Sequence, residues 1–293
     1  MQLKIFYYNL MAQDDNTYTR RFQRNYRKGT LRYKLSSFWL GYPLELSNRL
    51  QNALGHKNVA EKKFVIFTSG RSGSTLLVDL LNSSPEIQCD DELLKRRVAF
   101  PIPLVRSFER QSERLIYGFK LLSYQLLNVQ TGIKNKKKFL DQLIHEEGYQ
   151  LIHLSRNNKA KQALSIIYAF YRGQWHNQQG SKQKEAKRFE LNPATYLHFL
   201  GELQVLEDFE QAMVSNFEHL SLTYEQDLQQ PEQYEKSMQR VSEYLGVEIA
   251  RPETNLKKVT PSKLSDMISN QEALVRAVRN SEFEEYARIL EEM

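Results

Sequence analysis

The chain has 293 residues, of which 41% are hydrophobic and 26% are charged, values typical of soluble globular proteins. Its single cysteine, Cys89, excludes an internal disulfide framework and a multi-cysteine zinc site, and it fits a reducing compartment. No apolar run approaches the roughly 20 residues that cross a bilayer, and the first residues lack the apolar core of a signal peptide. We therefore expect a cytoplasmic protein.

Charge is unevenly distributed along the chain. Residues 1–60 hold 10 Lys/Arg and 3 Asp/Glu, a net of +7, whereas the remaining residues have a net of −1. Two interpretations remain open for this segment: a helical extension packed on the main domain, or a peripheral surface that meets an anionic membrane or a polyanion. It has no known nucleic-acid motif, so we expect no nucleic-acid partner. We predict a basic, amphipathic extension at residues 1–61 and one domain at residues 62–293.

From residue 62 onward, short β-rich runs alternate with segments of helical periodicity. Strands are predicted at residues 63–69, 87–89, 115–122, 149–154 and 220–224. Helices are predicted at residues 75–82, 136–145, 159–172, 193–217 and 231–245, the last ended by Gly246. This alternation predicts an α/β fold with a central, mostly parallel sheet flanked by helices.

The loop between the first predicted strand and the first helix has the composition of a phosphate-binding loop. Its sequence, at residues 69–75, is Ser-Gly-Arg-Ser-Gly-Ser-Thr. Arg71 supplies a positive charge, and Gly73 lets the backbone of a helix N-terminus approach an anion. Hydroxyl donors come from Ser72, Ser74 and Thr75. The Walker A pattern requires lysine where this chain has Ser74, so an ATPase or an ordinary kinase is disfavoured.

Residues 70–75 resemble the 5′-phosphosulfate loop of the sulfotransferases that use 3′-phosphoadenosine 5′-phosphosulfate (PAPS). That loop often reads Pro-Arg-Ser-Gly-Ser/Thr-Thr, and this chain has Gly70 in place of the proline. The chain looks similar to bacterial carbohydrate sulfotransferases of the nodulation-factor and trehalose type over roughly residues 62–270. The resemblance implies a P-loop-NTPase-like sulfotransferase fold. It also implies sulfuryl transfer from PAPS to a hydroxyl of a carbohydrate or glycolipid.

Five other cofactor residues follow from the same resemblance. Arg156 directly follows a predicted strand, and the end of a parallel strand faces the ligand crevice of an open sheet. The resemblance implies that Arg156 and Ser165 bind the 3′-phosphate of PAPS. It also implies that Tyr224 contacts the adenine and that Lys257 and Lys258 cover the 3′-phosphate. The competing interpretations are a sheet-edge arginine, a buried serine, a core tyrosine and a solvated lysine pair.

Sulfuryl transfer requires a group that accepts the proton of the attacking hydroxyl. The carbohydrate enzymes carry a segment like Pro-x-x-x-Cys-x-x-Glu-Leu, which Pro85, Cys89 and Glu92 match here. The resemblance implies that Glu92 is the general base, with Asp91 in reserve. Lys120, in a Gly-Phe-Lys sequence that relatives share, would neutralise the sulfuryl group or the leaving phosphate; a lysine snorkelling from a strand end is the alternative. No histidine pair has HExxH spacing, so we expect no metal site.

Two other functions remain open. One is a nucleotide-dependent phosphotransferase, and the other is a non-catalytic protein that binds a nucleotide or a polyanion. Preferential thermal stabilisation by adenosine 3′,5′-bisphosphate over ATP and GTP would favour the sulfotransferase. The motifs specify neither the acceptor nor the oligomeric state.

Overall fold

The computed structural model describes residues 60–172, 188–256, 260–261 and 263–293. These residues form two compact units. The sheet unit comprises residues 60–157 and 206–254, and the helical unit comprises residues 158–172, 188–205 and the described residues from 255 onward. Lys257, Lys258 and residues 1–59 lie outside the described residues. The division into an N-terminal extension and one domain therefore stays a prediction.

The sheet unit is built on five parallel strands. In chain order they are β1 (Lys62–Thr68), β2 (Ile87–Asp90), β3 (Ile116–Leu122), β4 (Gln150–Ser155) and β5 (His219–Thr223). Their order across the sheet is β2-β3-β1-β4-β5, and every neighbouring pair is parallel. In the central strand, Val65 lies between Phe119 of β3 and Leu151 of β4. The predicted α/β fold with a central parallel sheet is confirmed.

Five helices lie close to their predicted positions, whereas α2 was not predicted from the sequence. The described residues contain α1 (Ser74–Asn82), α2 (Pro101–Gln111), α3 (Lys136–Asp141), α4 (Lys159–Arg172), α5 (Pro193–Val214), α6 (Tyr234–Leu245), α7 (Gln271–Arg279) and α8 (Ala287–Glu291). Both ends of α4 agree with the prediction. α6 ends at Gly246, whose φ of 66° provides the left-handed cap that glycine favours.

One predicted strand ends a residue early, before Tyr224. The Oδ2 atom of Asp227 accepts a hydrogen bond of 2.7 Å from the backbone N–H of Thr223. This bond turns the chain out of β5 and into a π-helical turn, Tyr224–Leu228. Tyr224 therefore belongs to the turn that follows the strand, at the same edge of the sheet.

Helices cover both faces of the sheet because its central strands are apolar on both sides. Phe64 and Ile66 of β1 pack in one apolar cluster with α1 and α6. Val65 and Phe67 pack in another cluster with α2 and α3. In β3, an added Cβ at Gly118 would overlap the ring of Phe64, so only glycine fits there. Such burial on both faces is typical of parallel sheets.

The helical unit has a core of its own. Its buried apolar residues include Leu164, Tyr168, Leu200 and Leu274. The hydroxyl of Tyr196 donates a hydrogen bond of 3.1 Å to the carbonyl of Ala160. Among the described residues, no helix combines the length and the apolar character that crossing a membrane requires.

Candidate active site

The carboxyl ends of the five parallel strands lie at one edge of the sheet, where open α/β folds bind ligands. β1 leads through α1 to β2 on one side of the sheet, whereas β4 leads to β5 on the other side. β1 and β4 are neighbours, so the chain diverges after them and leaves a crevice. The glycine-rich loop follows β1 and Arg156 follows β4, which places both sequence motifs at this point.

The loop after β1 is fixed by buried hydroxyl groups. The Thr68 hydroxyl donates to the carbonyl of Leu154, at the end of β4, over 2.6 Å. The hydroxyl of Ser72 lies 2.5 Å from that of Thr68 and donates to the Ser69 carbonyl over 2.9 Å. The Ser72 side chain therefore holds the loop in shape, and its predicted role as a hydroxyl donor to a ligand stays a prediction.

Two residues of the loop have left-handed backbone angles. The φ of Arg71 is 63° and that of Gly73 is 90°. A Cβ on Gly73 would also lie 2.5 Å from the ring of Tyr224, so glycine is required for both conformation and space. Gly73 is the N-cap residue of α1, and no side chain among the described residues caps this helix. The first amides of α1 are therefore oriented as an anion-binding N-terminus.

Two arginines lie beside this helix N-terminus: Arg156 is buried and Arg71 is half-buried. The Nη1 atom of Arg156 donates to the carbonyl of Arg71 over 2.8 Å. The Arg156 guanidinium lies 4.7 Å from the centre of the Tyr224 ring, and its Nε lies 3.8 Å from Oε1 of Glu225. Burial lowers the pKa of Arg156. Burial, together with the charge of Arg156, lowers the pKa of Arg71 to about 10. Two positive charges are thus held close together where water is scarce, an arrangement that an anionic ligand stabilises.

Two further predicted cofactor residues, Ser165 and Tyr224, belong to different units of the structure. Ser165 is buried in α4 of the helical unit, with its hydroxyl 2.9 Å from that of Thr260. Its role beside Arg156 stays a prediction. The Tyr224 ring packs on Gly73 and under Arg156, so within the sheet unit it holds the arginine against the loop. Its contact with an adenine also stays a prediction.

Lys120 joins the loop helix to the acidic end of β2. Lys120 lies within the buried, largely apolar strand β3, and its side chain is only 2% exposed. Its Nζ donates to the hydroxyl of Thr75 over 3.3 Å, forms an ion pair with Asp91 and lies 3.5 Å from Oε1 of Glu92. The alternative of a solvated, snorkelling lysine is therefore wrong. Asp91 and Glu92 share one ammonium group, so the predicted base and its reserve lie at the same point.

The residues before Asp91 are anchored firmly. The side chain of Asn82, in α1, forms two hydrogen bonds with the backbone of Cys89: it donates to the carbonyl over 2.9 Å and accepts from the N–H over 2.7 Å. The Tyr117 hydroxyl donates to Oδ2 of Asp90 over 2.8 Å. Burial raises the pKa of Cys89 well above its ordinary value, which is typical of an inert structural thiol. The cysteine of the sequence pattern therefore has a structural environment, whereas the glutamate three residues later lies in the site.

A glutamine that the sequence analysis did not single out determines the orientation of Glu92. Gln125 is fully buried, and its Oε1 accepts from the backbone N–H of Leu122 over 3.2 Å. Its amide nitrogen must then face Glu92, to whose Oε2 it donates over 2.6 Å. The other oxygen of Glu92, Oε1, faces Lys120. Gln125 opens an irregular turn, Gln125–Val129, so no periodic pattern in the sequence indicated it.

The site is thus a crevice with two halves, which we name after the roles predicted from the sequence: an anion-binding half at Arg71, Arg156 and the N-terminus of α1, and an acid–base half at Lys120, Asp91 and Glu92. The described residues contain no group of three or more His, Cys, Asp or Glu side chains arranged to hold a metal ion. Among the described residues, positive charge at the crevice comes from the buried side chains of Lys120 and Arg156 and from the half-buried side chain of Arg71. A carboxylate of Glu92 lies beside one of them.

Comparison with known proteins gives a distant structural likeness. No protein-family model matches the chain, and no curated protein matches it. Among solved structures, the chain is similar to mouse sulfotransferase SULT7A1 complexed with PAP, at 14% sequence identity and a TM-score of 0.38. The match covers 80% of this chain and 90% of that one. This likeness is too distant to support a functional assignment. Any such assignment must rest on the residues of the site.

Proposed function

We propose that the protein is a PAPS-dependent sulfotransferase that transfers a sulfuryl group to a hydroxyl of a carbohydrate or glycolipid. The observation that carries the proposal is the pair of Arg71, which is half-buried, and Arg156, which is buried, at the switch point of a parallel sheet beside an uncapped helix N-terminus. PAPS carries a 5′-phosphosulfate and a 3′-phosphate, so it offers one anionic group to each of the two arginines. The loop sequence that resembles the family supports the same assignment.

The source of positive charge favours sulfuryl transfer over a Walker-type phosphotransferase. Ser74 stands at the Walker lysine position and is buried. The ammonium group beside the loop comes instead from β3, where Lys120 contacts Thr75. The nucleotide-dependent phosphotransferase therefore remains the second candidate, tested by the ATP and GTP arms below.

The mechanism follows from the two oxygens of Glu92. Oε2 is held by Gln125, so Oε1 is the atom that can accept a proton from an acceptor hydroxyl. As that proton leaves, the hydroxyl oxygen forms a bond to sulfur, and the bond from sulfur to the phosphate oxygen of PAPS breaks in line. Lys120 stabilises the negative charge that develops on the leaving phosphate. The products are a sulfate ester, adenosine 3′,5′-bisphosphate and a protonated Glu92.

The remaining cofactor assignments belong to the same proposal. Ser72, Gly73, Ser74 and Thr75 would contribute the backbone amides of the loop, while Arg71 binds the 5′-phosphosulfate. We assign the 3′-phosphate to Arg156 with Ser165, Lys257 and Lys258, and the adenine to Tyr224. These roles rest on the resemblance of the motifs. No step of the mechanism requires a metal ion.

A thermal-shift experiment tests the class of ligand. Adenosine 3′,5′-bisphosphate at about 100 times its dissociation constant should stabilise the chain by about 2.7 kcal/mol. Adenosine 5′-phosphate, ATP and GTP at the same concentration should stabilise it less. Stronger stabilisation by ATP than by the bisphosphate would instead favour the phosphotransferase.

A kinetic experiment tests the base. Glu92→Gln keeps the shape of the side chain and removes its proton-accepting group, so turnover should fall by roughly 10²–10⁴-fold with bisphosphate binding retained. Glu86→Gln is the matched control, because Glu86 is an exposed carboxylate at the other end of β2, where Ser84 donates to it. Sulfated product should be followed by mass spectrometry with candidate glycans and PAPS. Near-normal turnover in Glu92→Gln would assign the base to another group.

A further inference from the structure

A second concentration of positive charge follows Glu92 directly. Residues 93–138 hold 11 Lys/Arg and 2 Asp/Glu, a net of +9. The other residues of 61–293 have a net of −10, so this surplus is not a general property of the chain. All of residues 93–138 belong to the sheet unit.

Two basic runs of this segment are joined by one buried side chain, Gln130. Its Nε2 donates to the carbonyls of Leu94 and Arg96 over 2.9 and 2.5 Å, and its Oε1 accepts from the N–H of Val98 over 3.1 Å. Lys136 donates to the Gln130 carbonyl over 2.6 Å. The run at residues 95–97 is thereby placed against the run at residues 134–138.

Within the described residues, the cations of these runs are not paired with carboxylates; Lys136 and Lys137 donate instead to the Gln130 carbonyl and to Oδ1 of Asn216. We define the basic surface by seven residues: Lys95, Arg96, Arg97, Lys134, Lys136, Lys137 and Lys138. Five of them are exposed and two are half-buried. Within the described residues, none forms a salt bridge with a carboxylate. Elsewhere in the same unit, by contrast, Arg106 and Arg240 are paired with Glu147 and Asp227.

The basic surface is rigidly connected to the proposed base. Gln125, which holds Glu92, and Gln130, which holds residues 94–98, are the two ends of one turn, closed by a backbone bond of 2.8 Å between them. Lys95 is three positions after Glu92, so their Cα atoms are at most about 11 Å apart. A molecule whose hydroxyl lies at Glu92 therefore meets the basic surface with its neighbouring groups.

We propose that the acceptor is an acidic carbohydrate, whose carboxylate or sulfate groups bind the basic surface while its hydroxyl lies at Glu92. This inference rests on the proposed function and specifies its substrate class. The distribution of the cations over two separate runs suits a chain of sugars with repeated charges better than a single anionic group.

The probe is a fluorescent oligogalacturonate, compared with its methyl ester, which has the same sugar backbone without the charges. Fluorescence anisotropy with the full chain should show binding of the acid at least about 10-fold tighter than that of the ester. Binding should weaken as salt rises, because exposed charges are screened. Equal affinity for acid and ester would overturn the proposal.

The surface is tested by a triple variant, Lys95→Gln with Arg96→Gln and Lys134→Gln. These three side chains are exposed and leave the Gln130 hydrogen bonds in place. Losing three exposed contacts should weaken oligogalacturonate binding by roughly 10-fold. Unchanged binding would overturn the proposal, since the probe would then bind elsewhere, for example to the basic residues 1–60.

The matched control removes the same charge from other exposed positions: Lys62→Gln with Arg110→Gln and Arg251→Gln. This control variant should retain the affinity for oligogalacturonate. If it lost as much affinity as the first triple variant, the net charge of the protein and not the basic surface would explain the binding. Vesicles of phosphatidylglycerol form a third arm. If the first triple variant loses vesicle binding but not sugar binding, an anionic lipid is the partner and the proposal fails.

The two proposals fail in different experiments. Absence of stabilisation by adenosine 3′,5′-bisphosphate would contradict the sulfotransferase, whatever the sugar experiments show. Conversely, both triple variants could be stabilised normally by the bisphosphate while the acid and the ester bind equally well. That result would overturn only the acidic acceptor and would not contradict the sulfotransferase.

Discussion

Arg71→Asn should stabilise the ligand-free protein while it destroys the anion site. Folding lowers the pKa of Arg71 from 12.5 to about 10, with burial as the larger cause and Arg156 as the second. That lowering corresponds to about 3 kcal/mol against the charged form in the native state. Asparagine removes the charge and tolerates the φ of 63° at this position. Because contacts of the arginine stem are also lost, we expect a net gain of about 1–2 kcal/mol.

The assay is thermal or denaturant unfolding with and without adenosine 3′,5′-bisphosphate. Without ligand, the midpoint of Arg71→Asn should lie about 3–6 °C above that of the wild type. With ligand in 100-fold excess over its dissociation constant, the wild type should gain about 2.7 kcal/mol and the variant very little. Arg96→Asn, at an exposed position outside any helix or strand, is the matched control and should change neither quantity. A ligand-free variant less stable than the wild type, or one that keeps the ligand-dependent gain, would refute the reasoning.

The pH dependence gives an independent check of the cause. Above about pH 10 the native state releases the Arg71 proton while the unfolded chain still holds it. The unfolded state then binds more protons, so the stability of the wild type rises with pH relative to the variant. The advantage of Arg71→Asn should therefore be constant from neutral pH to about pH 9 and shrink above about pH 10. An advantage that does not shrink there would mean that charge is not its source.

Three further changes test separate parts of the site. Arg156→Ala should weaken adenosine 3′,5′-bisphosphate by roughly 2–4 kcal/mol in calorimetry and adenosine 5′-phosphate much less, whereas equal losses would remove the 3′-phosphate assignment. Gln125→Met keeps the side-chain length but loses the charge-assisted bond to Glu92, so turnover should fall about 10-fold or more with bisphosphate binding retained. Gly73→Ala should lower the free energy of unfolding by about 2 kcal/mol or more, because of the positive φ and the Tyr224 ring. Gly70→Ala, which has open space around it, should be nearly neutral in the same denaturant titration.

The sequence predicted the fold well because its signals are periodic. Short apolar runs alternating with helical periodicity are sufficient for five parallel strands and the helices between them. Arg71, Glu92 and Arg156 could be predicted as one site because each follows a parallel strand, and the ends of such strands meet at one edge. The predicted end of the last strand was wrong by one residue, because Asp227 accepts a hydrogen bond from the N–H of Thr223 and turns the backbone out of the strand.

The residues that the sequence did not indicate are polar side chains buried in irregular segments. Gln125 and Gln130 begin and follow a turn without periodicity, and their roles depend on bonds to residues about 30 positions away. The concentration of positive charge at residues 93–138 is not visible in the net charge of the whole domain. Residues 61–293 have a net charge of −1, which conceals +9 within residues 93–138.

The two halves of the site differ in how far they are formed without a ligand. In the anion-binding half, Arg156 is held by the Arg71 carbonyl and the Tyr224 ring, so little ordering is needed on binding. In the acid–base half, Lys120 is shared between Glu92 and Asp91, and Asp91 is 56% exposed. An exposed carboxylate is readily hydrated, so it is the partner of Lys120 that an incoming anion displaces at least cost. Asp91 would then keep the buried ammonium paired until a ligand arrives, while Gln125 keeps Glu92 in position for the proton.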